Sequence, residues 1–379
     1  MVLQGNSVGN SALHLSLLHR QDTITKVLAR CEGFRFLHNL AGHAPVHIVA
    51  TLGHTHSLDL LFPAPARRAE AFHRAEVGSE VMGDKSSPVI GSGFALAALQ
   101  QELNQRATYT GDTALHLAVR EKHNELAERL IALGAAVDIQ NNSGQTALLL
   151  ACANDTVRLA IQLLKSGAPP NVAGHLRMQQ RTLLATHSRE SSLTPLHVAA
   201  SANHTELVRA LCEFGADINF CDERGRSPLY MALLNGAGDV AVYLLGRPDQ
   251  SLHTSLGGSS LLHAACQCPS QAAHITAALL ARGCSHDQPN RLGNLPLHEA
   301  LCWENVDVVR ILLEQGADPS ARGELGALPL TFAARTGRVE MAELLLAAGA
   351  NVNGADPQVG GMSVHLGVNH KQVDRHTCL

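Results

Sequence analysis

The chain has few aromatic residues, and it lacks long apolar runs. Phenylalanine, tryptophan and tyrosine make up 3% of its 379 residues, and a single tryptophan is present. No stretch of about 18 or more apolar residues is uninterrupted, so we expect no membrane-spanning helix. The N-terminus has no basic start followed by an apolar core, so no secretory signal is expected.

An excess of charge of one sign is also missing. Lysine and arginine together number 29 against 33 acidic residues, which leaves a net charge of −4. A broad basic face of the kind that binds nucleic acid is therefore not indicated. The cysteines are odd in number, nine, and scattered, which favours a reducing compartment over a disulfide framework. We expect a cytoplasmic protein, with the nucleus as a second possible location.

A segment of the chain recurs with a period of 33 residues, seen for example between Thr113 and Thr146. Its core is Gly-x-Thr/Ser-Pro/Ala-Leu-His-x-Ala, and a fixed period of this length is typical of repeat architectures. The Thr position of this core can be followed along the whole chain. It falls at Ser11, Ala44, Thr113, Thr146, Thr194, Ser227, Ser260, Leu295, Leu328 and Met362.

Each recurrence predicts two helices and a loop. The Thr or Ser hydroxyl can cap the first helix, and a proline next to it fits the first helical position, where its missing N–H costs nothing. Glycines follow the second, leucine-rich segment, and glycine adopts the left-handed conformation that closes a helix. These glycines are Gly134, Gly167, Gly215, Gly283, Gly316 and Gly349.

This pattern resembles the ankyrin repeat, strongly over residues 108–354 and recognisably over 6–62. The resemblance implies an all-α repeat solenoid of about ten units with two insertions, in which helix-turn-helix pairs are joined by β-hairpin-like loops. Some units depart from the signature. Leu149, Tyr230 and Thr331 replace its histidine, and Leu295 and Leu328 replace its threonine.

The repeat register also predicts how the chain is divided. The 63–107 segment opens on a proline-rich stretch and has helical spacing near 94–104; it is either a linker with an eroded repeat or a regulatory insertion. An inserted loop near 172–189 is either solvated or a partner-specific finger. The ends carry either unusual caps or the marks of a longer gene product. The expected regions are two N-terminal repeats at 1–62, the segment 63–107, the main array at 108–354, and an incomplete repeat or tail at 355–379.

No group of residues with a catalytic pattern occurs that the repeat does not already explain. The strongest metal candidate is the set His263, Cys266, Cys268 and Cys284, but Cys266 is expected to face the core and Cys268 the concave side. No nucleotide-binding or hydrolase motif occurs. We therefore expect no enzyme, no cofactor, no metal and no small-molecule substrate. The resemblance implies instead that the signature histidines tie neighbouring turns together, at His14, His47, His116, His197, His263, His298 and His365.

The resemblance also implies a concave groove lined by the turn tips and by the exposed side of each first helix. Trp303 occupies a slot that is normally exposed, and tryptophan and arginine concentrate binding energy at interfaces. Leu292 and Leu325, at adjacent tips, would supply apolar rims. The predicted partner-binding residues are Glu223, Arg224, Arg226, Asn235, Arg291, Leu292, Asn294, Trp303, Leu325 and Arg335.

These observations favour a non-catalytic protein–protein interaction module, an intracellular adaptor or scaffold that holds a protein partner in its groove. Two alternatives remain open. One is sequestration of a transcription factor in the manner of the inhibitors of NF-κB, whose first repeats the 111–118 segment resembles. The other is substrate recognition for a ubiquitin ligase, which would need a ligase-docking box after the repeats.

Overall fold

The computed structural model describes residues 6–29, 37–62, 100–176, 191–252, 260–268 and 271–354. Most of both predicted insertions, and the whole predicted tail at 355–379, lie outside these residues. Residues 100–103, at the end of the first insertion, are helical. The chain divides into two compact units, Met1–His175 and Leu176–Leu379.

The first unit contains four helix pairs within its described residues. In each pair, a first helix of seven or eight residues is followed by a tight turn and a second helix of seven to nine residues. A three-residue strand, β1 (Gly174–Leu176), comes after the last pair. The pairs are α1 (Ala12–Leu18) and α2 (Asp22–Leu28), α3 (Pro45–Leu52) and α4 (Thr55–Leu61), α5 (Ala114–Arg120) and α6 (Asn124–Ala132), and α7 (Ala147–Ala153) and α8 (Val157–Lys165).

The second unit contains five helix pairs within its described residues, preceded by the strand β2 (Ser191–Leu193). A 3-10 turn at Glu324–Gly326 precedes the last pair. The pairs are α9 (Pro195–Ser201) and α10 (Thr205–Glu213), α11 (Pro228–Leu234) and α12 (Gly238–Leu245), α13 (Leu261–Cys266) and α14 (Ala272–Ala281), α15 (Pro296–Cys302) and α16 (Val306–Glu314), and α17 (Pro329–Thr336) and α18 (Val339–Ala347).

The first helices begin where the Thr or Ser of the signature has an extended backbone. Thr113 has φ −87° and ψ 169°, and its hydroxyl lies 2.8 Å from Nδ1 of His116, three residues on. Where leucine replaces the histidine, the hydroxyl is free to cap the helix directly. Thus Thr146 Oγ1 accepts a hydrogen bond from the backbone N–H of Leu149 at 3.2 Å. Both arrangements satisfy helix N-terminal groups that would otherwise lack partners.

Six of the second helices end just before the predicted glycines, which confirms that these glycines mark helix ends. These glycines have φ between 85° and 90°, in the left-handed region that favours glycine. At Gly316, for example, the backbone N–H bonds to the Leu313 carbonyl at 3.1 Å, which satisfies a carbonyl of the last helical turn. The chain then turns away into the extended loop.

Small side chains let the first helices of neighbouring repeats pack closely. The alanine two residues after the signature histidine position is fully buried in each of seven repeats, and leucines of both helices are buried as well. A fully buried leucine contributes about 1.5–3 kcal/mol, so short helices can be held without large aromatic side chains. None of the described helices is long and apolar enough to cross a membrane. The buried alanines are Ala118, Ala151, Ala199, Ala232, Ala265, Ala300 and Ala333.

In eight of the nine described pairs, the turn between the two helices contains a left-handed residue nine positions after the signature Thr position; in the α13–α14 pair the described left-handed residue is Gln271. Glycine occupies this slot at Gly53, Gly236 and Gly337, with φ of 69° to 70°. Lys122 has φ 62° at the same slot, although a side chain makes the left-handed conformation unfavourable. The same strain recurs at Arg20, Asp155, Asn203 and Glu304.

Replacing Lys122 with glycine should therefore stabilise the protein. The Lys122 side chain is exposed, so relief of the left-handed strain should exceed the entropy that glycine adds to the unfolded chain, by about 0.5–1 kcal/mol. Urea unfolding of Lys122→Gly, compared with wild type, measures this gain. Lys122→Ala keeps a Cβ in the same conformation and should give no such gain. A Lys122→Gly variant less stable than Lys122→Ala would contradict the explanation.

Candidate partner-binding surface

In five of the described repeats, a histidine of the first helix connects its turn to the next one. In the α5 repeat, the backbone N–H of Thr113 donates to His116 Nδ1, and His116 Nε2–H donates to the Gln145 carbonyl at 3.0 Å. This pattern fixes the ring in its neutral Nε2–H form. It confirms the bridging that the ankyrin resemblance implies. Within the described residues, the same bond runs from His14 to His43, from His47 to Asp112, from His197 to Arg226, and from His263 to Asn294.

The last described histidine of the series, His298, departs from this pattern. Its ring lies near the Ala327 carbonyl, but Nε2 is buried without a hydrogen bond of proper geometry. The predicted histidine His365 lies outside the described residues. The bridge to the last described repeat is therefore weaker than those before it, because a buried ring nitrogen is left unsatisfied.

Burial keeps the bridging histidines uncharged. It lowers the pKa of His116, His197 and His263, although hydrogen bonds to carbonyls act in the opposite direction. The effect is large at His47, whose pKa is lowered to about 4, first by burial and then by the neighbouring His43. A neutral ring can accept at Nδ1 while it donates at Nε2, which the bridge requires.

Acid should consequently weaken the first unit. Between about pH 6.5 and about pH 4 the unfolded chain binds a proton at His47 that the folded state does not bind. The contribution of neutral His47 to the free energy of unfolding is fully present above the pKa of His47 in the unfolded chain. It is lost as the pH falls towards the pKa of His47 in the folded protein, by about 3 kcal/mol.

Urea unfolding of wild type and His47→Gln, near neutral pH and again at about pH 5, tests this dependence. The variant should be less stable near neutral pH, because it lacks the bridge, and should lose less on acidification. His175→Gln, which changes an exposed side chain of the same unit, should behave as wild type. Equal losses on acidification in wild type and His47→Gln would contradict the assignment.

The bridged turns form a continuous row of tips in the first unit. Leu40 N–H donates to the Val8 carbonyl at 3.1 Å, and Thr108 N–H donates to the Gly42 carbonyl at 2.9 Å. Three apolar side chains stand exposed on these tips: Val8 at 51%, Leu40 at 65% and Tyr109 at 69%. They lie outside the predicted partner-binding set, although Val8 directly precedes Gly9 as Leu292 precedes Gly293, and Leu40 and Tyr109 lie two residues before Gly42 and Gly111 as Arg291 does before Gly293.

In the second unit, the tip of the α15 repeat is connected to the helix that carries Trp303. Asn290 Oδ1 accepts from the backbone N–H of Leu292 and of Asn294, both at 2.9 Å. Asn290 Nδ2 donates to Glu299 Oε1 at 3.0 Å, and the Trp303 indole lies near the same carboxyl group and lowers its pKa. Asn290 thus connects the Leu292 backbone to the Glu299 carboxyl group beside Trp303, and the Leu292 and Trp303 side chains remain partly exposed, at 43% and 40%.

The next tip is held against this one. Asn294 is buried, and its Oδ1 accepts from the backbone N–H of Glu324 at 2.8 Å. A Cβ added to Gly323 would lie 2.6 Å from the same Asn294 oxygen, so this approach requires glycine. The Asn294 side chain is therefore used within the protein and does not face a partner. Leu325 belongs to this second tip, but its side chain is outside what the structure describes.

The remaining predicted residues differ in exposure and in their contacts within the protein. Glu223, Arg224 and Arg291 are exposed at their tips. Arg226 pairs with the fully buried carboxylate of Asp222 at 2.6 Å, and the Asn235 amide donates to the Met231 carbonyl at 2.8 Å. Arg335 is exposed and lies 5.7 Å from the centre of the Phe332 ring. The tip between residues 222–226 and 290–294, at 253–259, lies outside the described residues.

Comparison with known proteins identifies the repeats. A family model for ankyrin repeats, in three copies, matches residues 92–173, 175–253, 246–323 and 262–356. The chain belongs to the ankyrin repeat family.

Among curated ankyrin relatives, similarity is moderate and partial. Rabankyrin-5 of Mus musculus is 26% identical over 282 residues, which cover 69% of this chain and 23% of that protein. B-cell lymphoma 3 protein of Homo sapiens is 32% identical over 187 residues, or 42% of this chain and 41% of that protein. Neurogenic locus notch homolog protein 1 of Mus musculus is 32% identical over 162 residues, or 43% and 6%. The chain thus spans less than half the length of each relative.

Two cysteines of the predicted metal set, Cys266 and Cys268, are buried and bond to different carbonyl groups rather than sharing a site. Cys266 Sγ donates to the Leu262 carbonyl at 3.1 Å, whereas Cys268 Sγ donates to the Leu233 carbonyl at 3.4 Å. Burial raises the pKa of Cys268 to about 11. Cys268 is 1% exposed, so it is buried rather than open to the concave side as expected. No three His, Cys, Asp or Glu residues of the described segments converge to hold a metal ion.

Proposed function

We propose that this protein is a non-catalytic interaction module, an intracellular adaptor or scaffold whose concave ankyrin surface binds a protein partner. Membership of the ankyrin family supports binding as the activity, because the repeats present a long surface built from variable side chains. Sequestration of a transcription factor and recognition of a ligase substrate are narrower forms of the same activity, and the identity of the partner would distinguish them.

The observation that carries the proposal is the pair of exposed apolar side chains at the α15 repeat. Asn290 holds the Leu292 backbone, and the Trp303 indole lies beside the Glu299 carboxyl group, so both anchors project from a defined tip. Preorganised aromatic anchors supply much of the affinity at protein interfaces. Exposed Arg291 and Arg335, together with Glu223 and Arg224, would form the polar rim.

Truncation of Trp303 should weaken partner binding without a matching loss of stability. A buried interface tryptophan is worth about 2 kcal/mol or more, which corresponds to a roughly thirtyfold weaker affinity. Partners captured from cell lysate would be identified, purified and titrated by calorimetry against wild type, Trp303→Ala and Leu292→Asp. Both variants should bind more weakly.

Phe214→Ala is the matched control. Phe214 is an aromatic residue with a similar exposure, 43%, but it follows the second helix α10 rather than a first helix. This variant should bind as wild type. Unchanged binding by both Trp303→Ala and Leu292→Asp, or equal losses of affinity and melting temperature, would contradict the proposal.

A further inference from the structure

Glu299 places a carboxyl group at a position that is apolar in every other described repeat. The position directly follows the signature histidine in the first helix. Glu299 is 6% exposed there, about as buried as Leu117 or Leu150 in the same slot. The residues at this slot in the other described repeats are Leu15, Ile48, Leu117, Leu150, Val198, Met231, Ala264 and Phe332.

The surroundings of Glu299 supply a hydrogen bond but no positive charge. Asn290 Nδ2 donates to its carboxyl group, the nearby Trp303 indole lowers its pKa, and Glu324 lies close enough to repel it. Burial is the largest effect and raises the pKa of Glu299 to about 7, with a smaller contribution from Glu324. No cation of the described residues is among the groups that act on it.

A buried carboxyl group without a counter-ion is costly, and the cost falls when a cation is brought to it. Trp303 lies four residues after Glu299, one helical turn away on the same face, and is 40% exposed. An indole ring attracts cations to its face, and arginine or lysine beside such a ring gains most when it is desolvated. One cationic side chain could therefore contact both groups.

We infer that Glu299 and Trp303 form a subsite for a lysine or arginine side chain of the partner. The inference rests on the proposed function, because it assumes that a peptide segment lies along this surface. It specifies that this segment carries a positively charged side chain at one position. The carboxylate would form the ion pair, the indole ring would cover the cation, and Asn290 would keep the carboxyl group oriented through its amide.

A random 12-residue peptide library displayed on phage is the probe, selected on the wild-type protein. Selected peptides should share lysine or arginine at one fixed position. Synthetic peptides with that residue, and with norleucine in its place, are then titrated against wild type and Glu299→Gln. Glutamine keeps the shape and the hydrogen bond from Asn290 but removes the charge.

The four affinities form a double-mutant cycle. The cationic peptide should bind Glu299→Gln about tenfold or more weaker than wild type, whereas the norleucine peptide should bind both proteins equally. Trp303→Leu, a second variant that leaves the carboxyl group in place, should reduce the same preference. Glu314→Gln, which changes an exposed carboxylate at the end of α16, should bind both peptides with the affinities of wild type.

The outcomes separate this inference from the proposed function. Peptides that share no cationic position, or equal losses for both peptides on Glu299→Gln, would overturn the subsite and leave the interaction module standing. Selection of no peptide above background by the folded wild-type protein would contradict the module and, with it, the subsite.

Discussion

The histidine bridge between neighbouring turns is the interaction on which the rest of the structure depends. Each repeat is a short helix pair that cannot bury its apolar side alone, so its stability comes from its neighbours. The bridge fixes the register of that packing, because one ring binds its own helix cap and the following turn. Burial keeps the ring neutral, and the same burial makes the contact sensitive to acid. Leu149, Tyr230 and Thr331 replace the histidine in three described repeats, so no histidine bridge forms there, and at His298 the Nε2 atom is buried without a hydrogen bond.

Once the turns are held in register, their tips leave side chains such as Leu292 and Arg291 exposed. The first helices are buried along most of their length, so exposed side chains beside the tips occur mainly at helix ends, as at Trp303. Other tip residues serve the scaffold: Asp112 is fully buried and pairs with Arg120 at 2.6 Å, as Asp222 does with Arg226. Burial acts to raise the pKa of Asp112, but the hydrogen bonds from Arg120 and Asn141 outweigh it. The net pKa is below its ordinary value, so the carboxylate stays charged. Glu299 lacks such a cation, and this is why it stands out as a binding group.

Much of the fold was predictable because its determinants are local and periodic. The signature Thr, the histidine and the closing glycines act within a few residues, so their spacing reveals helix starts, helix ends and bridges. The site was less predictable, because its properties depend on contacts between repeats. The turn-tip and helix-end positions of the repeat predicted Leu292 and Trp303 as binding residues. They also predicted Asn294, whose side chain is buried against the next turn. The prediction did not select Glu299, because that position lies inside the first helix rather than at a tip or helix end, although the apolar residues at the same position of the other repeats indicated burial. Nor did it select the exposed tips at Leu40 and Tyr109.

The central claim is that this protein acts through its concave surface. Site-specific photo-crosslinking tests it most directly, with a photoreactive phenylalanine analogue placed at Leu292 and, in a separate protein, at Glu314 on the second helix α16. Both positions are exposed. The account predicts that a partner is crosslinked from position 292 and not from position 314. Crosslinking from position 314 alone would contradict it and would move the binding surface to the second helices.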